Sequence, residues 1–236
     1  MPNLYVEKNS DSWEKFTHEK FNVIYVDQFQ KLRPYPNSHY RGTIYGYVNH
    51  QTDHHIPLTN FRVDNLFKLG NIFLNTHGKI CNVAALTYSG GFQGLKFIRP
   101  NSGNKFFGGG LYSYDELFSL YNLNDENDLL IADAVKIEKE FRCFCSDRLL
   151  TCSTYIENNE IICSPVEKYE EKILEEICEA ALTIYRPAPI FVCDIAKTCE
   201  GEYKVIEYNC WNCSGLYNCD ASKILTEIIV LEYVNG

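Results

Sequence analysis

The pattern of apolar and polar side chains is most informative between Pro189 and Asn209, in P-I-F-V-C-D-I-A-K-T-C-E-G-E-Y-K-V-I-E-Y-N. Two β-rich runs flanking Glu200-Gly201 predict a hairpin. With those two residues as the turn, Cys199 faces Glu202, Asp194 lies directly across from Glu207, and Asn209 shares Glu207's face. A turn one residue longer would shift the register and undo that opposition. A second hairpin is expected from I-E-K-E-F-R-C-F-C-S-D and R-L-L-T-C-S-T-Y, with its tip near Asp147. It sets Glu140 and Arg142 on one face with Thr151, Ser153 and Tyr155.

Helical spacing follows in two stretches. Ser164-Pro165-Val166-Glu167 combines an N-cap serine, a proline at the first helical position and a reciprocal glutamate. Ile173, Leu174, Ile177, Cys178, Ala181, Ile184 and Tyr185 then recur at helical intervals, leaving the glutamates outside until Arg186-Pro187 ends the helix. Asp220 is placed to cap a last helix through Val234, with Ile224, Leu225, Ile228 and Ile229 as its buried stripe. Earlier, Leu95 to Pro100 reads as a strand, N-S-G-N-K-F-F-G-G-G as a glycine-rich loop, and Ser113 with Glu116 as the capping box of a helix. The first third suggests a small α/β lobe: strands over Phe21 to Val26 and Gly42 to Val48 around the loop R-P-Y-P-N, and a short helix over Phe61 to Leu69 stopped by Gly70. A strand over Ile72 to Leu74 and an apolar run over Ile80 to Leu86 follow.

The 236 residues, 45% of them hydrophobic, suffice for a sizeable core. Lys+Arg 22 against Asp+Glu 31 gives a net charge of −9, which argues against nucleic acid as a partner. No apolar run approaches the ~20 residues that cross a bilayer, and M-P-N-L-Y-V-E-K-N has no signal core, so a cytoplasmic protein without a membrane partner is expected. The eleven cysteines are read as reduced and mostly packed inside, with Cys143 and Cys145 on one strand face. A zinc set built on Cys210-x2-Cys213 with Cys193, Cys199 and Cys219 is the alternative, although no second close pair completes it. His50, Asp53, His54 and His55 form another candidate metal cluster, in a polar segment that reads equally as a solvated loop.

Chemistry enters through the acids. Opposed carboxylates about 5 Å apart at Cβ repel unless something compensates them. A divalent cation does so, and two carboxylates with an amide oxygen are hard ligands suited to Mg2+ and its attendant phosphates. Against this stands a hairpin whose acids merely face water. Arg99 at a strand end and Lys105 in the glycine-rich loop supply cations for phosphate, yet neither the G-x-x-x-x-G-K-[ST] nor the G-x-G-x-x-G spacing is present. Taken alone they read equally as solvated loop charges.

The order of the parts carries more. F-I-R-P-N-S-G-N-K-F-F-G-G, E-F-R and I-E-Y-N-C-W-N resemble the ATP-grasp superfamily over roughly Leu95 to Val234, and most of all the clade with arginine in place of the usual first nucleotide-binding lysine, often met in phages and large viruses. The resemblance implies an α+β ATP-grasp fold: two α+β subdomains with antiparallel sheets clasp a nucleotide. It divides the chain into a small N-terminal α/β lobe over 1–90 and an ATP-grasp domain over 91–236, with a flap subdomain at 91–136 and a metal-binding subdomain at 137–236. It implies Arg99 and Lys105 as phosphate contacts, and Val135, Lys136 and Ile137 as the hinge that holds adenine. Glu140 and Arg142 would line the cleft, Arg142 toward the acceptor or the transferring phosphate. Asp194, Glu207 and Asn209 would be the Mg2+ ligands, and Asn212, Ser214 and Tyr217 would border the acceptor. Guanidinium for ammonium keeps the charge and adds a planar fork.

The activity so implied is an ATP- and Mg2+-dependent carboxylate-amine ligase working through an acyl phosphate, on small-molecule or peptide substrates or on a protein acceptor. Three rivals stand beside it. A nucleotide-binding interaction module without catalysis would keep the ligands and release no phosphate. A lysine-adenylating nucleic-acid enzyme would need the K-x-D-G motif that is absent here. A cysteine nucleophile would need a neighbouring histidine.

Overall fold

The computed structural model describes residues 1–8, 13–27, 38–42, 60–103 and 106–235. The strand expected after Gly42, the R-P-Y-P-N loop, Lys105 and the His50, Asp53, His54 and His55 cluster lie outside them. Three sheets organise the chain. A parallel sheet runs in the order β2 (Asn22–Val26), β1 (Asn3–Glu7), β3 (Ser38–Arg41). An antiparallel sheet runs β4 (Lys79–Asn82), β7 (Asp128–Ala132), β5 (Lys96–Pro100), β6 (Gly110–Tyr112). The largest, also antiparallel, runs β10 (Glu160–Ser164), β9 (Leu149–Glu157), β8 (Ile137–Cys145), β11 (Phe191–Thr198), β12 (Tyr203–Asn209).

Both faces of the five-stranded sheet are covered, which is why its central strands are almost wholly buried. On one face Phe141, Cys143, Cys145, Cys193, Ile195 and Val205 meet Leu174, Cys178 and Ala181 of α3 (Lys168–Ile184), Leu66 and Leu69 of a 3-10 segment over Val63–Ile72, and Phe73 just after it. On the other, Phe144 and Val192 meet Leu4 and Val6 of β1 and Ile224, Leu225 and Ile228 of α4 (Ala221–Asn235). Sealing side chains of this size contributes about 1.5–3 kcal/mol each. The smaller antiparallel sheet has its own core, in which Ile98, Leu129 and Ile131 pack under α1 (Val83–Tyr88) and α2 (Tyr114–Leu120) through Val83, Leu86 and Leu117. No helix among the described residues is long and apolar enough to cross a membrane.

Local rules account for several ends. Ser113 Oγ accepts from Glu116 N–H while Glu116 returns a bond to Ser113 N–H, the reciprocal cap expected from their spacing. Asp220 caps α4 through Ser222 N–H at 2.9 Å. Ser164, in contrast, is no helix cap. It pairs with Thr154 as the last residue of β10, and α3 starts only at Lys168, because the ladder already occupies the serine's backbone. On α3, Ile184 is half exposed, whereas Glu170 is fully buried. The segment after Phe61 is 3-10 rather than α-helical, and Gly70, at φ 55° and ψ −129°, interrupts it. The strand expected over Ile72 to Leu74 is reduced to one parallel bridge from Phe73 to Val205.

Candidate active site

Strands β8, β11 and β12 lie side by side and bring four chemistry-bearing residues to the face that carries α4. Asp194 sits between Arg142 and Glu207 in the ladder, and Asn209 pairs with Val192 one pleat away. The expected opposition of Asp194 and Glu207 is present, but it is reached by another route. The tip is longer than two residues: Thr198 N–H donates to Glu202 O, and Cys199, Glu200 and Gly201 span the loop, with Gly201 at φ +82°. That shifts the outer register, so Lys197 faces Tyr203 and Ile195 faces Val205. A bulge at Ile206 then restores the pairing of Asp194 with Glu207. Without it Glu207 would continue the row of Tyr203 and Val205 on the α3 side.

Tyr155 is likewise the extra residue where β9 passes β8, between the pairs Phe141 with Thr154 and Glu140 with Ile156. Both bulge residues line one cavity of about 220 Å³. Its other walls include Arg99, Gly108 and Gly109 from the four-stranded sheet and the glycine-rich loop, and Glu140 and Glu207 from the five-stranded sheet. The cavity therefore lies between the two antiparallel sheets. Gly109 faces it closely, since a Cβ there would stand 3.3 Å from the Arg99 Cβ.

The charges are tightly ordered. Arg142 grips Asp194 with two donors, Nε to Oδ1 at 2.8 Å and Nη2 to Oδ2 at 3.0 Å, and its Nη1 donates to Gly215 O at 3.0 Å. Asp194 is fully buried, so this fork offsets a desolvation cost of several kcal/mol. Burial pulls the Arg142 guanidinium down, and the Asp194 charge and hydrogen bond together with the neighbouring Tyr155 and Tyr217 outweigh it, so the group is held above its ordinary range. Its guanidinium carbon also lies 5.1 Å and 4.9 Å from the ring centres of Tyr155 and Tyr217, which stack on each other. Arg99 Nη1 meets Glu207 Oε2 at 2.5 Å, joining the two sheets across the cavity. Glu140 accepts a short hydrogen bond from Tyr155 Oη. Burial, with the Asp194 and Glu207 charges, raises the Glu140 carboxyl above the usual carboxylate range against the pull of that bond.

Asn209 links the acids. Its Nδ2 donates to Asp194 Oδ2 at 2.9 Å and to Glu207 Oε1 at 2.8 Å, while its Oδ1 is buried without a hydrogen-bond partner. The amide hydrogens thus stand where two carboxylates converge, a place that also suits a cation. Turning the amide over would present the unsatisfied Oδ1 there and complete an all-oxygen donor set. The residues present fit a hard divalent ion.

Other expected positions are distributed as follows. Val135, Lys136 and Ile137 form the link from β7 to β8, with Lys136 O already accepting from Cys199 N–H at 3.0 Å. Asn212 and Ser214 are buried inside their loop, where Ser214 Oγ donates to Cys210 O. Tyr217 is half-buried against Tyr155. The zinc alternative fails on geometry: Cys193 is sealed under α3, Cys199 is exposed at the hairpin tip, and Cys219 contacts Ser153 Oγ. Among the described residues no three His, Cys, Asp or Glu side chains form a metal-holding group. Sequence reasoning missed Arg41, a buried side chain from β3. Its Nη1 donates to Asn212 O at 2.7 Å and its Nη2 donates to Ser214 O, so it holds the loop from below. Nothing in the local pattern S-H-Y-R marks it. Ile206 was missed too, because a bulge leaves no compositional trace.

A family model described as an ATP-grasp domain, family 2 of its clade, matches residues 80–226. No curated protein matches the sequence. Among solved structures, a RimK domain protein ATP-grasp from Sphaerobacter thermophilus aligns with TM-score 0.60 at 12% identity, covering 96% of this chain and 99% of that one. D-alanine--D-alanine ligase from Bacillus anthracis complexed with ATP aligns with TM-score 0.56 at 14% identity over all of both chains. N5-carboxyaminoimidazole ribonucleotide synthetase from Thermotoga maritima is 16% identical with TM-score 0.43, and this chain spans 39% of its length. The fold is the α+β architecture of such ligases.

Proposed function

Because the chain belongs to the ATP-grasp domain family whose model it matches, we propose that it is an ATP- and Mg2+-dependent carboxylate-amine ligase working through an acyl phosphate. One observation carries this reading: Asp194, Glu207 and Asn209 converge beside a cavity whose opposite wall is Arg99 and a glycine-rich loop. In it, residues 91–136 act as flap subdomain, 137–236 as metal-binding subdomain, and 1–90 as a preceding lobe.

Each residue then has a task. Arg99 would exchange Glu207 for a phosphate oxygen, and Glu207 would exchange Arg99 for the metal, so both keep an opposite charge. A magnesium ion on Asp194, Glu207 and Asn209 would neutralise the transferring phosphoryl group. Lys105 would add a second phosphate contact, and the link from Val135 to Ile137 would meet adenine. Arg142 is committed to Asp194 and Gly215 O, so its main work is to hold that carboxylate and the acceptor loop in place, its cation against the two tyrosine rings. Of these three loop residues only Tyr217 is less than fully buried and would meet an acceptor, and Asn212 and Ser214 shape the loop from inside. The substrate carboxylate would attack the γ-phosphorus, with ADP leaving. An amine would then attack the acyl carbon and expel phosphate, and the cavity walls keep water from doing so first.

The name of one neighbour, a D-alanine--D-alanine ligase, favours an amino acid as the carboxylate. Isothermal titration with ATP and Mg2+ followed by a phosphate-release screen over amino acids and peptides tests the proposal. Binding with release on addition of an acceptor supports it. Binding with no release for any acceptor points to the non-catalytic module, and no binding at all overturns both.

A further inference from the structure

Immediately beyond Asn209 the chain turns tightly enough to bring two thiols into contact. Cys210 Sγ lies 2.8 Å from Cys213 Sγ. Both converge on the Asn60 side-chain oxygen, which accepts from Cys210 N–H at 2.9 Å, from Cys210 Sγ at 3.2 Å and from Cys213 Sγ at 3.7 Å. The other thiols are placed differently. Cys143, Cys145, Cys178 and Cys193 are sealed in the core under α3, Cys219 is buried, Cys81 and Cys152 are half-buried, and Cys163 and Cys199 are exposed.

We propose that Cys210 and Cys213 are an oxidisable dithiol, which a low-molecular-weight disulfide of the glutathione type converts into a disulfide within the loop. The two sulfurs have unequal access: Cys213 is half-buried and Cys210 is 1% exposed. Cys213, as thiolate, attacks one sulfur of the reagent RS–SR; that S–S bond breaks, one RS⁻ leaves, and a mixed disulfide remains on Cys213. Cys210 then loses its proton to solvent and attacks Cys213 Sγ, expelling the second RS⁻. The protein gives up two electrons and two protons, and the reagent leaves as two RSH. Cys210, sealed from solvent beneath its partner, cannot be reached by the reagent and so does not attack first. Contact with its partner then makes the second step intramolecular and fast.

Oxidation has a structural consequence. Asn60 loses both S–H donors and keeps only the Cys210 N–H. The Asn60 backbone is wedged against the start of the glycine-rich segment, where a Cβ on Gly103 would come within 2.1 Å of Asn60 O. The state of the dithiol is therefore passed to the root of that segment. None of this depends on the ligase reading, since the test reads masses.

Native full-length protein is incubated with oxidised glutathione, digested without reduction and mapped by mass spectrometry. The expected product is a Cys210–Cys213 crosslink, two hydrogens lighter and reversed by dithiothreitol. Cys210→Ser should accumulate glutathione on Cys213, and Cys213→Ser should leave Cys210 free while Cys163 and Cys199 react. Glutathione on Cys163 and Cys199 with Cys210 and Cys213 both unmodified in the native protein overturns the proposal. So does Cys210 reacting in Cys213→Ser as readily as the exposed thiols. Should a variant fail to fold, the wild-type crosslink alone decides.

Discussion

The five-stranded sheet buries a carboxylate on each face, and the two sites differ in what surrounds them. On the α3 side Glu170 is fully buried, with Lys139 Nζ at 3.3 and 3.2 Å from its oxygens and Tyr203 Oη donating at 3.1 Å. On the α4 side Asp194 is equally buried and is held by Arg142 and Asn209. Glu170 projects from α3 and is closed off by the sheet beneath it, through Lys139, Lys197 and Tyr203. The group around Asp194 opens through Glu207 and Glu140 onto a cavity whose far wall belongs to another sheet, and it retains an amide oxygen without a partner. Burial of charge is thus shared by both sites. Convergence on an open volume belongs to one, and only that one is proposed to bind a ligand.

Removing the two acids is the strongest way to break this contrast. Asp194→Ala leaves the Arg142 guanidinium buried and uncompensated, so a loss of about 3–5 kcal/mol in chemical denaturation is expected, together with loss of Mg-dependent ATP binding. Glu170→Gln should cost about 1–3 kcal/mol, because its lysines reach solvent more readily, and leave ATP affinity unchanged. A matching loss of affinity there would erase the distinction between the faces. Next in size, Glu207→Gln should weaken ATP about tenfold or more in titration with Mg2+ and have little effect without it. Equal affinity in the variant and the wild type would remove Glu207 from the site.

Arg99→Ala separates phosphate from base. ATP should weaken about tenfold while adenosine binds as before, and parallel losses would mean that Arg99 touches no phosphate. The smallest effect concerns Glu140, whose carboxyl is raised in the folded protein by burial first and then by its acidic neighbours. A raised carboxyl favours the folded state below its unfolded value and loses that contribution as pH climbs through the folded one. Glu140→Gln should therefore melt higher than wild type at neutral pH, with the advantage shrinking as the solution is acidified from the raised folded value toward the usual carboxylate value and gone below it. An advantage independent of pH would show that the carboxyl's ionisation is not involved.

Much of this arrangement was legible where local rules dominate. The Ser113 capping box, the hairpin tip near Asp147 and the Asp220 cap depend on neighbours within a few residues, and each appears as spacing suggests. The start of α3 was misread because a tertiary partner, Thr154, claims Ser164 for the sheet. Arg41 was invisible for a similar reason: its acceptors lie 171 and 173 residues away in sequence. The facing of Asp194 and Glu207 is the instructive case. The simplest turn gives the right pair, whereas the molecule uses a longer tip and recovers the pair through Ile206.

That detour constrains how the hairpin can vary. Flattening the bulge with Ile206 still in the strand would put Ile206 opposite Asp194 and turn Glu207 toward α3, whereas deleting Ile206 outright, or shortening the tip while Thr198 still closes on Glu202, would leave the acids facing one another. The facing of the acids therefore hangs on how the one extra residue beside them is accommodated, and not on the length of the tip. A design that straightens this strand at constant length would disarm the site while preserving every one of its side chains.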